Sequence, residues 1–232
     1  SEHPQCHRHI KNHFVGYLPY LFKGQTQILS DFIDTFRISS LKGYENIFCR
    51  TAKKSHYDTL LQSVVCFDLQ NALKFSIIYN RRQQFIHLLK KIKYPEQLDY
   101  IYRGPMGTQQ TLISLCCTKT YYKGIQKLID LGADYNKYSV NERGELRNPI
   151  MVIADSCGYE KLNNKEVTEI KKCLSYLSEI IDINEQNSRG QTALMFAYRS
   201  NPKLVPILQA FGCNSDIVDM NNKKAVNYSR PY

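Results

Sequence analysis

"KLIDLGADYN", Lys127 to Asn136, reads as a helix that is made to stop. In "GIQKLIDL", which leads into it, Ile125, Leu128, Ile129 and Leu131 fall at helical spacing, so one apolar stripe faces a neighbour. Gly132 supplies the left-handed residue that ends a helix, and Ala133 is small enough to tuck beneath the turn. The plan returns in "PILQAFGCNSD", where Ile207, Leu208 and Phe211 form the stripe and Gly212 takes the stop position. It returns in degenerate form in "CLSYLSEIIDIN", with Leu174, Leu177 and Ile180 on the stripe and no glycine.

Short helices precede these ends. In "GQTALMFA" Thr192 can cap a helix whose Leu194 and Ala197 point inward. "RNPIMVIADSCG" repeats the idea with Asn148, Pro149 and Ile150, the proline fitting the first helical turn. "QQTLISLCCTKT" (Leu112, Leu115) and "NALKFSIIYNRRQQFIHLL" (Leu73, Ser76, Leu88, Leu89) are weaker copies. Each unit is therefore loop, short helix, turn, longer helix, loop.

This plan resembles the ankyrin repeat, with its capped first helix, its second helix ending in paired leucines and a G-A-D-x-N close. "GQTALMFA" and "LIDLGADYN" carry the resemblance. The likeness covers residues 63 to 232 and implies an all-α fold: an ankyrin-repeat solenoid of about four irregular helix pairs with a polar C-terminal cap in which Lys223 and Asn227 replace apolar or capping residues. The spacing departs from the family period of about 33 residues, being 38 from Leu112 to Ile150 and 44 from Ile150 to Leu194. The excess maps to a lengthened finger, "NKYSVNERGELR", and an extended turn, "DSCGYEKLNNKEVTE".

Residues 1 to 62 read as an N-terminal helical region or cap, with Ile28, Phe32, Ile33 and Phe36 on one face. No window approaches the roughly 20 apolar residues of a membrane span, and "SEHPQCHRHIKNHF" lacks a secretory core. Eight scattered cysteines without a CxxC pair fit a reduced, cytoplasmic setting. The net charge of +10 is uneven, with 15 Lys and Arg against 8 Asp and Glu up to Arg103, which favours acidic partners.

Candidate chemistry is sparse. Cys6, His7, His9 and His13 form the only dense set of metal-type ligands, but no second ligand pair with finger-like spacing follows. Cys49 or Cys66 with His56 could make a thiolate and base, yet no nucleophile motif surrounds them. A chain associated with an enzyme, holding a cysteine or zinc centre in this N-terminal region, is the alternative reading. Arg81 to Lys93 is a basic amphipathic stretch whose Phe85, Leu88, Leu89 and Ile92 coincide with core positions of the repeat. Tyr94, Tyr100, Tyr102, Tyr121, Tyr122, Tyr135 and Tyr138 suit a protein interface better than base stacking.

The leading expectation is a non-enzymatic interaction module or adaptor, without cofactor or metal, that binds a protein partner with an acidic segment. A monomer is expected, and neither nucleic acid, membrane nor a small-molecule substrate. The resemblance implies that fingers and first helices line a concave face, which selects three groups of contact positions. The second finger and its helix give Arg143, Glu145, Arg147, Asp155 and Ser156; the third gives Ser188, Arg189, Gln191, Arg199 and Ser200; the last finger gives Met220, Asn221 and Lys223. Irregular repeats of this kind also resemble those of host-directed effectors from intracellular bacteria and viruses, which would place the chain in host cytoplasm.

Overall fold

The computed structural model describes residues 68–156 and 162–229. The chain is mostly helical with a small antiparallel sheet. Packing divides it into two units, Ser1–Ile92 and Lys93–Tyr232; the boundary expected after residue 62 lies outside the described residues. No helix among the described residues is long and apolar enough to cross a membrane.

In the first unit α1 (Leu69–Ile78) packs on α2 (Arg82–Leu89). Asp68 caps α1 by accepting from the Asn71 amide at 3.0 Å. Leu73, Ser76, Phe85, Leu88 and Leu89 are buried, so the basic helix spends its apolar stripe on packing. Ile92 lies past the end of α2 and is half-buried.

The second unit begins with a 3-10 turn (Pro95–Asp99) and a sheet of very short strands, β1 (Tyr102–Arg103), β2 (Gln109–Gln110), β3 (Ser139–Val140) and β4 (Leu146–Arg147), paired antiparallel in that order. The strands are the stems of two fingers. Between and after them run α3 (Leu112–Thr118), α4 (Tyr122–Asp130), α5 (Pro149–Ser156), α6 (Asn164–Leu177), α7 (Ala193–Ser200) and α8 (Val205–Ala210), and a last 3-10 turn covers Ala225–Tyr228. Each first helix packs on the helix that follows it, α3 on the longer α4, α5 on the longer α6, and α7 on α8, which is shorter than α7 and so departs from the expected short-then-longer plan. The short helices also pack on each other, α3 on α5, α5 on α7 and α7 on the last 3-10 turn, while α4 packs on α6. Leu112, Leu115, Ile150, Ile153, Leu194 and Ala197 are buried along this row.

The stops work as their sequences require. Gly132 and Gly212 have φ of +91° and +94°. At the first, the Ala133 amide donates to the Leu128 carbonyl at 3.0 Å and Gly132 to Ile129 at 2.9 Å; Cys213 and Gly212 repeat the pattern on Leu208 and Gln209. Where the glycine is missing, α6 ends at Leu177. The amides of Ile180 and Ile181 both donate to the Leu177 carbonyl, which exposes Ile180 at 36% and buries Ile181, correcting the expected stripe. Asn148 caps α5 through the Met151 amide at 2.8 Å, with Pro149 in the first turn. Thr111 and Ser114 form a reciprocal capping box on α3. Thr192 occupies the cap position of α7, but its buried hydroxyl makes no hydrogen bond among the described residues.

Candidate partner-binding cleft

Each later finger is bent by one side chain. Asn141 Oδ1 accepts from the amides of Arg143 and Glu145, both at 3.0 Å. Asn187 Oδ1 does the same for Arg189 and Gln191 at 2.9 Å, and Asp219 Oδ1 for Asn221 and Lys223 at 2.9 and 2.8 Å. An Asx side chain thus replaces a backbone turn, and a left-handed residue follows it: Gly144, Gly190 or Asn222. The fingers are tied in sequence. Arg189 Nη2 donates to the Arg143 carbonyl at 3.1 Å, Asn187 Nδ2 to Leu146 at 2.9 Å, and the Met220 amide to Arg189 at 3.1 Å.

Behind the second finger lies a network of ionised side chains. Arg199, in the last turn of α7, grips Glu145 bidentately with both Nη atoms at 2.8 Å and reaches Asp155 of α5 at 3.3 Å. Arg147, at the end of β4, donates from Nη1 to Asp155 Oδ2 at 2.7 Å, and Ser200 donates to Asp155 Oδ1 at 2.7 Å. Asn141 donates to Glu145 at 2.7 Å, and Gln191 to Glu145 at 3.3 Å and to the Tyr228 hydroxyl at 3.2 Å. The guanidinium of Arg199 also stands 4.8 Å from the centre of the Phe196 ring.

Burial alone would raise the Glu145 carboxyl; hydrogen bonds from Arg199 and Asn141 and the Arg199 charge outweigh it and hold the group at about 2. Asp155 follows the same logic: burial pushes up, while the Ser200 hydrogen bond and the Arg147 and Arg199 charges bring it below the usual carboxylate range. Burial works against the Arg199 cation as well, and its bonds to Glu145 reverse the effect, so its pKa is raised.

In front of this network opens a polar concavity of about 400 Å³. The first finger and α3 contribute Thr108, Gln110 and Thr118, the second finger Val140 to Arg143 and Arg147, α5 Asp155 and Ser156, and α7 Arg199 and Ser200. Six of the expected contact residues therefore share one cleft: Arg143, Arg147, Asp155, Ser156, Arg199 and Ser200. Arg189, Ser188, Met220, Asn221 and Lys223 are exposed on fingers outside its lining.

The expected surface positions need one correction. Glu145, Arg147 and Gln191 are only 3%, 8% and 6% exposed, because the hydrogen bonds within the network face inward. Thr108, Gln110, Thr118, Val140, Asn141 and Glu142 line the cleft as well and are not among the positions expected from the sequence. For Asn141 a signal existed: "NERG" and "NSRG" recur with asparagine three residues before a left-handed glycine.

Cys116, Cys117, Cys173 and Cys213 are buried free thiols. Burial, then the neighbouring Cys173 and Cys116, pushes Cys117 well above the usual thiol value, and burial with Asp182 pushes Cys213 up to about 12, which makes both poor nucleophiles. Cys6, His7, His9, His13, Cys49, His56 and Cys66 lie outside the described residues. The chain matches no family model and no curated protein.

Proposed function

We propose that the second unit is an ankyrin-like stack and that its finger side binds a protein partner, without catalysis. Support for the fold reading comes from three features: the recurrent packing of helix pairs, the glycine stops, and the fingers joined tip to tip. The observation that carries the functional reading is the cleft itself. It is open and polar, its inner charges are matched to one another, and the exposed Arg143 stands in its lining with the half-exposed Arg189 beside it.

That matching narrows the electrostatic expectation. Arg199 is held by Glu145 and Asp155, so it has little charge left for a partner. The preference for an acidic segment rests on the exposed Arg143 and Lys223, joined by Arg189, which is half-exposed although its Nη1 stands 3.7 Å from Glu145. Exposed methionines at two finger tips, Met106 at 75% and Met220 at 76%, add adaptable apolar contacts.

The test is retention of proteins from a eukaryotic lysate by the tagged chain. Arg143→Glu with Arg189→Glu is expected to abolish capture, and Arg143→Glu alone, which leaves the buried network intact, to weaken it. Undiminished capture by the double variant would move the site to another surface. A host-directed role belongs to the same proposal and is tested by whether the captured protein is a host component.

A further inference from the structure

The last 3-10 turn repeats the start of each first helix and leaves open what the others cover. Thr111, Asn148, Thr192 and Lys224 hold the same cap position, and two residues further on stand Ile113, Ile150, Leu194 and Val226. The first three are buried, whereas Val226 is 57% exposed. The reason lies in the row: α5 packs on α3, α7 on α5 and the turn on α7, while no element among the described residues packs on the far side of the turn. Val218 and Met220, in the finger that leads into it, are exposed as well. The polar cap expected from Lys223 and Asn227 is thus interrupted by apolar side chains of the kind that mark an interaction surface.

The polar groups that join one layer to the next recur at this end. Asp99 accepts the Asp134 amide at 2.9 Å and Asn184 the Asn214 amide at 2.7 Å. Asp216 is the counterpart of Asn184, each standing three residues ahead of the Asx side chain that bends its finger. It is exposed and bonded to Lys224 at 2.8 Å. Glu145, Gln191 and Lys223 likewise share one position, four residues after that bend. The next layer meets the first two: Arg199 grips Glu145, and the Tyr228 hydroxyl accepts from Gln191 at 3.2 Å. Lys223 is an exposed cation where Glu145 is an anion, so the group that fits against it is a carboxylate. We infer that this end of the second unit docks an acidic amphipathic helix of a partner protein. The apolar stripe of that helix covers Val226 and Met220, and one of its carboxylates meets Lys223. An amide of the segment leading into it bonds to Asp216, which frees Lys224 for a second carboxylate. None of these residues lines the cleft, so the site is separate from it.

The test titrates the full chain, at physiological salt, with a dye-labelled synthetic helix of about four turns whose leucine stripe is flanked by glutamates, and with its lysine counterpart. Fluorescence anisotropy is expected to show saturable binding of the glutamate helix, roughly tenfold tighter than that of the lysine helix. Val226→Ser should weaken it roughly tenfold and Lys223→Glu should reverse the preference, while Arg143→Glu in the cleft leaves it unchanged. Val226 and Lys223 are exposed, so neither substitution removes a buried contact. No saturable binding, or binding indifferent to both substitutions, would overturn the site, and sensitivity to Arg143→Glu alone would transfer the helix to the cleft and overturn it equally. Sedimentation of the chain alone decides between occupants: a monomer is expected, and self-association abolished by Val226→Ser would replace the foreign helix with a second copy.

Discussion

Arg199 shows how one side chain can hold several elements. It links α7 to the second finger through Glu145 and to α5 through Asp155, and both carboxylates are largely buried. Removing Arg199 leaves Asp155 to Arg147 but strips the buried Glu145 of its bidentate partner, with only Arg189 left at 3.7 Å, so Arg199→Met is expected to cost about 3 kcal/mol, read from the urea midpoint. Acid should act on the same group. The Glu145 carboxyl is depressed in the folded chain, so its stabilisation is complete above its ordinary value of 4.5 and is lost as pH falls through about 2. The loss between those limits is on the order of 3 kcal/mol, and Glu145→Gln should flatten that part of the stability profile. None of this was legible beforehand. Arg199 belongs to a different helix pair from Glu145 and Asp155, and charged residues beside a finger read as solvent-facing. Only assembled helices bring them into one place.

Turns and stops were far more legible, because their chemistry is local. Gly132, Gly212, Asn148 and Pro149 do what their neighbours in sequence imply. Thr192 did not, since capping depends on a rotamer that sequence leaves open. Thr120 is a case that sequence alone does not flag. It ends α3 in the left-handed region with φ of 44°, where the Tyr121 amide donates to Cys116 at 2.9 Å, a role filled by Asn80 after α1. A β-branched residue is strained there and asparagine is not, so Thr120→Asn should stabilise the chain by about 1 kcal/mol, seen as a raised thermal midpoint. Gly190 carries the opposite expectation. Its φ is +74°, and an added Cβ would stand 2.9 Å from the Met220 amide nitrogen. Gly190→Ala is expected to cost about 1–3 kcal/mol and to loosen the last finger, visible as faster hydrogen exchange at Met220 and Asn221.

Taken as a whole, the chain separates into two packed units, and every member of the cleft belongs to the one beginning at Lys93. A fragment of residues 93–232 is therefore expected to unfold cooperatively in urea and to keep the Arg143-dependent capture. A gradual, featureless transition would show that this unit needs the residues before it. In the same unit the side-chain bonds between neighbouring layers bridge modest stretches of sequence: Asp134 to Asp99, Asn214 to Asn184, Arg199 to Glu145. Such a pattern suits assembly from one layer to the next.

That order has a consequence during synthesis, when the chain emerges from its N-terminal side. Once Glu145 and Asp155 have left the ribosome, the arginine that neutralises them both is still to be made. Arg147 is already at hand for Asp155, but until Arg199 appears Glu145 has no arginine at hydrogen-bonding distance to be buried against, and its finger is expected to stay open. The arrival of α7 then closes the second layer and the third in one event.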